Sequence, residues 1–373
     1  MSQTSIAAES SPYAGLTSPI LPSQWLHSPL YDLVFFSSVW MIPLIIGLFG
    51  APGRTPLLLG LAFVSYHLLL RVPHFVATVN VTVGIRENRT HYRTHWVEFI
   101  VIPSLIFAAY ALILLPRFDH TFLKGLLIAL SGAWGLQHVA MQNFGILNLY
   151  RQRNGTGRDR VGAKLERAIT VTFAFFFFIS YFLDYAVDTF HINSWALDHN
   201  WVAFVGVGAL SAVYLVRIWR LRATYPISVP GLLYFAVAIA VMIPFSFYSR
   251  VDPFAYFYVV NAQHCLAYLG LVYLMGQNRA AQQGGRMRVR QFAPPLLAGS
   301  LGLMALAAGY LVFFSGHVLV IDRELLDRAT QALLGFFVVH YYVESRVWKL
   351  SKAHSRQVLG PLLKNPFLAR PAV

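Results

Sequence analysis

Long apolar runs separated by short polar loops dominate the chain from residue 30 onward. Each run is close to the roughly 20 residues that a helix needs to cross the hydrocarbon core of a bilayer. Ten runs can be traced, with approximate bounds 30–50, 57–84, 96–115, 121–150, 167–188, 200–220, 229–250, 253–277, 293–316 and 329–350. The pattern therefore predicts an all-α, polytopic integral membrane bundle of about ten transmembrane helices.

The composition supports a membrane protein. Of the 373 residues, 57% are hydrophobic and only 12% are charged, whereas a soluble domain carries about 25% charged residues. These values exclude a soluble enzyme, a disordered chain and a collagen-like fibre. Around a transmembrane domain at 30–350 we predict a Ser/Pro-rich cytoplasmic segment at 1–29 and a basic cytoplasmic tail at 351–373. The first 29 residues lack the basic and apolar regions of a cleavable signal peptide.

The basic residues predict the orientation in the membrane. The net charge is +14, and most basic side chains lie in the C-terminal tail and in the loops after runs two, four, six and eight. The opposite loops hold only Arg54, Arg117, Lys124, Arg250, Arg323 and Arg328. This asymmetry places both termini in the cytoplasm, and we expect a protein of the bacterial inner (cytoplasmic) membrane. Because the basic residues are dispersed among short loops, we expect membrane lipids and no nucleic acid as partners.

Histidines inside the apolar runs are the main candidates for chemistry, because the single cysteine, Cys265, excludes a disulfide framework and a Cys-ligated iron–sulfur cluster from this chain alone. Ionisable residues within a bilayer are costly and usually face the bundle interior. One such histidine is usually satisfied by a hydrogen bond to a neighbouring helix, but a larger set is more simply explained by convergence on one site. Four predicted helices of one direction carry His67, His74, His138, His264 and His340.

Helical spacing adds acidic residues to these histidines. His340 and Glu344 are four residues apart, so they share a helix face. At the cytoplasmic entry to the third run, His91, His95 and Glu98 stand at spacings of four and three, which would present three metal ligands on one side. We therefore predict that nine residues, mostly in the cytoplasmic half of the membrane, include the ligands of one or two metal ions: His67, His74, His91, His95, Glu98, His138, His264, His340 and Glu344.

Catalytic roles are predicted for Glu344, Glu98 and Arg71. Arg71 lies between His67 and His74, with no charged neighbour in sequence. Buried charges are rarely left unpaired. We expect Arg71 to pair with Glu98, Glu344 or Asp32, or to bind an anionic group of the substrate.

The donor set indicates which metals fit. Imidazole and carboxylate ligands suit iron, copper or zinc, and about eight such ligands would hold two ions. The spacing His91-x-x-x-His95 resembles a box of the membrane-bound histidine-motif di-iron desaturases and hydroxylases. The resemblance covers five residues, and the chain lacks the adjacent histidine pair of the His-x-x-His-His boxes in those families. It implies a histidine-coordinated di-iron site near the cytoplasmic face.

These observations predict a metal-dependent, di-iron oxidoreductase of the oxygenase, monooxygenase or desaturase type that acts on a lipid-like or hydrophobic substrate. A cytoplasmic electron donor would dock on the basic loops. Three alternatives stay open. They are a haem-binding electron-transfer subunit, a transferase with a histidine general base, either zinc-dependent or metal-free, and a proton-coupled transporter with a His/Glu relay.

Overall fold

The structure is a computed structural model that describes residues 24–38, 40–41, 64–113, 121–172, 174, 201–225, 227–241, 253–285, 287, 294–302, 305, 323–350 and 352–363. Every regular element in these ranges is a helix. The all-α prediction is therefore confirmed for the described part of the chain. Most of the predicted N-terminal segment, at 1–23, and the end of the tail, at 364–373, lie outside it.

The helices follow the predicted apolar runs, with two additions in segments predicted to be polar. In chain order they are α1 (Pro29–Tyr31, continued by a π-helical turn at Asp32–Ser37), α2 (Val64–Gly84), α3 (Arg86–Thr94), α4 (π-helical Val97–Val101, continued by Ile102–Ile113), α5 (Thr121–Arg153), α6 (160–172), α7 (Trp201–Leu221), α8 (Val229–Ala240), α9 (Pro253–Gln282), α10 (294–302), α11 (Arg323–Val347) and α12 (Ala353–Leu363). The additions are α3 and α12, and each of the ten runs contains at least part of one other helix.

Few of the described helices meet the length and apolarity of a membrane span. Val259–Gln282, within α9, does so alone, and α2 and α3 do so together although they are bent by 81°. Of the ten runs, only 121–150, 253–277 and 329–350 lie wholly within the described residues. The ten-span bundle is therefore not confirmed.

Helix α9 lies at the centre of the helices that form the site. It packs against α1, α2, α5 and α12, while α11 packs against α2, α4 and α5. A Cβ atom at Gly135 would lie 3.0 Å from the Tyr341 hydroxyl. Glycine at this position therefore allows α5 and α11 to approach closely, as small residues do between membrane helices.

A buried carboxylate fixes α1 to this core. Asp32 is 1% exposed and accepts hydrogen bonds from the Leu26 and His27 amides, at 2.7 and 3.1 Å, and from the Tyr150 hydroxyl at 2.8 Å. Since Tyr150 belongs to α5, the carboxylate ties the segment before α1 to that helix. The bonds made by Asp32 explain its burial as a structural anchor.

Candidate metal centre

Four helices each bring one buried histidine to a common point. One ligand nitrogen from each side chain lies within 4.8 Å of those of the other three. Neighbouring imidazole rings have centroids 4.4 to 5.3 Å apart, and the contacts form a closed circuit. None of the four is more than 8% exposed. The four-histidine group consists of His74 on α2, His138 on α5, His264 on α9 and His340 on α11.

The nitrogen positions in this group suit a small cation. The Nε2 atoms of His74 and His340 are 2.6 Å apart. Four imidazoles around a tetrahedral ion at 2.0–2.1 Å would place their nitrogens about 3.3 Å apart. The ligand nitrogens of the group are at most 4.8 Å apart, and those of His74 and His340 come as close as 2.6 Å. Side-chain shifts of about an ångström would therefore bring them to the spacing that a tetrahedral ion needs.

Unpaired buried nitrogens also indicate a missing partner. Within the described residues, His74 Nδ1, His138 Nε2 and His264 Nδ1 have no hydrogen-bond partner. Each buried polar atom left without a partner costs on the order of 1–3 kcal/mol. A ligand that binds such atoms would offset part of this cost.

Glu344 stands beside the four-histidine group and is 3% exposed. Its Oε2 atom lies 3.1 Å from His138 Nε2 and 3.7 Å from His340 Nε2. The 3.1 Å approach to His138 has the distance of an ion pair but lacks hydrogen-bond alignment. Glu344 can therefore supply a fifth, anionic donor to an ion held by the histidines.

A second polar layer lies one helical turn beyond the histidines. Residues four apart in a helix share a face, and each of the four histidines is followed at that spacing by a polar side chain. This spacing is a signal that the sequence analysis used only for Glu344, and it would also have indicated the other three. The four polar residues are Thr78, Gln142, Tyr268 and Glu344.

Contacts within the second layer orient His340. The Thr78 hydroxyl lies 2.6 Å from Glu344 Oε1, 3.0 Å from the Tyr268 hydroxyl and 3.3 Å from His340 Nδ1. A hydroxyl has one proton, and a carboxylate is its strongest acceptor here, so Thr78 donates to Glu344. His340 Nδ1 is then the donor toward Thr78, which leaves the Nε2 lone pair free to bind a metal.

Arg71 is buried close to the group, about one turn before His74. Its guanidinium lies over the Phe337 ring, with 3.3 Å from Cζ to the centroid, and it donates a hydrogen bond to the Tyr341 side chain. The structure thus places the Arg71 cation, in contact with the Phe337 and Tyr341 side chains, close to the four-histidine group. Glu98, one of the partners predicted for Arg71, pairs with Arg346 and Lys352.

His91, His95 and Glu98 form a separate surface group with His354. The rings of His91 and His354 stack with centroids 3.8 Å apart. Partial burial and the nearby His354 lower the pKa of His91. Glu98 instead pairs with Arg346 at 3.3 Å and with Lys352 at 3.5 Å.

The structure does not bring this predicted trio to the four-histidine group. The chain bends by 81° between α2 and α3, and α3 ends at Thr94, so regular helical spacing is interrupted between His95 and Glu98. The five residues that carry the resemblance to di-iron desaturases therefore lie outside the four-histidine group.

His67 is fully buried but is also outside the four-histidine group. Seven residues separate it from His74, which corresponds to roughly 10 Å along the helix axis. The His67 ring nitrogens are not among those that lie within 4.8 Å of one another. The π-helical turn His67–Arg71 also changes the rotation between the two side chains.

A cavity of about 420 Å³ opens beside the centre, between α5, α9, α11 and the end of α12. His138 and Glu344 form part of its wall, and the remaining wall is mainly apolar. The candidate metal centre is therefore accessible from a space large enough for a small hydrophobic molecule.

Comparisons of the chain with protein-family models, with curated proteins and with solved structures find no match. A functional proposal therefore depends on the geometry of these residues.

Proposed function

We propose that the protein is a membrane-embedded, metal-dependent oxidoreductase whose four-histidine group binds one iron ion. The observation that carries the proposal is the convergence of four buried imidazoles, one from each of four helices, within 4.8 Å. The four histidines are far apart in the sequence and lie on different helices, so the structure of any one helix does not explain why they meet. Several buried nitrogens without partners are difficult to explain unless a ligand binds them.

The donor set supports iron in preference to zinc. Structural zinc is almost always held by four ligands that include cysteine, or by three ligands and a water in catalytic sites. Here four imidazoles and the Glu344 carboxylate provide five donors. Five nitrogen and oxygen donors suit a metal with five or six coordination positions, such as iron. Bound iron would supply one-electron chemistry and a position for oxygen.

One ion is proposed in place of two. About eight donors would be needed for a pair, and the residues that would complete it, His91, His95 and Glu98, lie in the surface group. A haem is not proposed at the four-histidine group. The four imidazole rings contact one another, with centroids at most 5.3 Å apart, and this leaves no slot for a macrocycle between them.

The surrounding residues support a hydrophobic substrate and controlled proton movement. Substrate would enter the largely apolar cavity and meet the metal at His138. Glu344 lies between the metal ligands and the Thr78 and Tyr268 hydroxyls. The Trp348 indole donates to the Tyr268 hydroxyl at 3.2 Å and so holds this hydroxyl beside Glu344. An indole N–H only donates, so protons would reach the Glu344 carboxylate from the Tyr268 hydroxyl, on the side of the cavity, and from the Thr78 hydroxyl.

The membrane setting is part of the proposal. The apolar composition and the ten apolar runs support a bundle of about ten transmembrane helices with both termini in the cytoplasm. The metal centre would then lie in the cytoplasmic half of the membrane. A cytoplasmic donor would deliver electrons at the basic loops.

Metal replacement tests the redox function. Metal-free protein in neutral detergent is reloaded with Fe²⁺ or with Zn²⁺, then oxidised and reduced while the electron paramagnetic resonance spectrum is recorded. We expect the iron protein to gain a ferric signal on oxidation and to lose it on reduction, once per chain. The zinc protein is the matched control and should stay silent. Native protein that contains only zinc, or iron that cannot be cycled, would contradict an oxidoreductase.

A proton-coupled transporter is the second candidate, because the hydrogen-bonded Tyr268 hydroxyl and Glu344 carboxylate both line the cavity and can also pass a proton. Transport would need no metal. Proton flux into liposomes that contain metal-free protein would favour the transporter, whereas flux or turnover only after iron loading would favour the oxidoreductase.

A further inference from the structure

The cavity beside the metal centre has one charged end. Its walls are apolar along α5 and α9, where Trp134, Met141, Leu149 and Leu271 face the space. Its volume of about 420 Å³ falls in the range of roughly 300–1,000 Å³ that is usual for small-ligand pockets. At the end of α11, however, the cavity is bordered by Arg346 and Lys349.

The two cations at this end have little local compensation. Arg346 pairs with Glu98, but Glu98 also pairs with Lys352. Lys349 is exposed and has no ion-pair partner among the described residues. Glu344, the acidic residue in the cavity wall, already accepts a hydrogen bond from the Thr78 hydroxyl and lies beside His138. An anion at this charged end of the cavity would therefore meet positive charge that the nearby acidic residues do not fully neutralise.

We infer that this cavity binds an amphipathic anion, with an apolar chain in the cavity and a carboxylate or phosphate at Arg346 and Lys349. The inference rests on the proposed metal centre and names its class of substrate. A neutral hydrocarbon would fill the apolar walls but leave the two cations unpaired. An inorganic anion would pair with the cations but leave the apolar walls in contact with water.

The geometry also indicates which part of the chain would meet the metal. Arg346 follows His340 by six residues, which corresponds to roughly 9 Å along the helix axis. The head group would therefore be held about that far from the ligand nitrogens. An extended chain would present a carbon well removed from its charged end, so the reaction would occur within the chain and not next to the head group.

Binding of radiolabelled laurate to the full-length protein in neutral detergent tests this inference. Lys349→Gln removes one cation from the charged end of the cavity, and we expect laurate to bind roughly fivefold more weakly. Lys164→Gln is the matched control, because Lys164 is an exposed lysine outside the cavity wall, and it should bind laurate as wild type does. Dodecanol, which has the same chain length without the charge, should be insensitive to both substitutions.

A second pair of variants tests the position of the chain. Gly145 lies in the cavity wall, and a Cβ atom there would meet no other atom within 4 Å. Gly145→Leu should fill this space and abolish binding of both laurate and dodecanol. Gly125→Leu, on the same helix and equally open, should bind both. Leucine favours a helix more than glycine does, so neither change should unfold α5.

The source of the anion is settled by competition. Displacement of laurate by equimolar phosphatidylglycerol would support the inference and assign a lipid head group. Retention of laurate would support it and assign a free fatty acid. Laurate binding that both Lys349→Gln and Gly145→Leu leave unchanged would overturn it.

Metal content and laurate binding, measured on the same protein, separate this inference from the proposed function. Loss of the predicted laurate pattern with iron still bound would contradict the inference alone. Normal laurate binding by a protein that takes up no metal would contradict the proposed function alone.

Discussion

Replacing His264 with alanine should remove the metal from the protein. The residue lies at the centre of α9 with 3% exposure, and its ring contacts those of His74 and His138. Loss of a residue that only orients a ligand costs 10–100-fold in metal affinity. Loss of the ligand itself should cost more, so we expect at least a roughly 100-fold weaker affinity and purified protein almost free of metal. Elemental analysis after size-exclusion chromatography measures this directly.

The same result is expected for alanine at His74, His138 or His340. His354→Ala is the matched control, because His354 belongs to the surface group with His91, and it should retain the metal. Loss of metal should also lower thermal stability, since a ligand present at 100 times its dissociation constant stabilises the folded state by about 2.7 kcal/mol. Wild-type metal content in all four variants would show that these histidines do not bind it.

Replacing Glu344 with glutamine should weaken metal binding and stop turnover. Glutamine keeps the size of the side chain and can still contact Thr78, but it lacks the negative charge that lies 3.1 Å from His138 Nε2. We expect metal affinity to fall by roughly 10- to 100-fold, with a clear change in the electron paramagnetic resonance spectrum of the iron that remains. Isothermal titration with Fe²⁺ under anaerobic conditions measures the affinity.

Two further variants define the role of Glu344. Thr78→Val removes the hydroxyl that donates to the carboxylate at 2.6 Å, so its effect should be intermediate. Ser345→Ala changes an exposed neighbour on the same cavity wall and should behave as wild type. If Glu344→Gln were indistinguishable from Ser345→Ala, Glu344 would have no part in the centre.

Sequence position was sufficient to find the four histidines that meet in the structure. Each lies within an apolar run, and the runs that carry them were predicted to cross the membrane in one direction, so convergence on one site was the simplest explanation for the set. The four-residue spacing of His340 and Glu344 likewise placed both on one face, and the structure puts them 3.7 Å apart. That these residues bind a metal stays a prediction.

The sequence did not define the rest of the site. His67 was included because it lies in the same apolar run as His74, but it is outside the four-histidine group in the structure. His91 and His95 were grouped with the site because their four-residue spacing predicted two ligands on one helix face, but spacing does not show toward which part of the protein that face points. Thr78 and Tyr268 were missed, because the four-residue spacing that placed Glu344 beside His340 was not applied to His74 and His264.

The fold could be predicted only in outline. The apolar runs correctly indicated an all-helical chain in the described residues. The number of spans is harder to establish, because a helix that carries a polar site is less apolar than one that only crosses a membrane. Helix α5 illustrates this: Gln137, His138, Gln142 and Asn143 face the protein interior or the cavity and lower the apolarity of the helix.

X-ray absorption spectroscopy at the metal edge of the purified, full-length protein tests the central claim most directly. We predict one ion per chain, with about four nitrogen ligands at roughly 2.0–2.2 Å and the outer-shell scattering that imidazole rings produce. A stoichiometric metal without imidazole scattering, or no bound metal in protein that is folded and active, would contradict a metal centre built from His74, His138, His264 and His340.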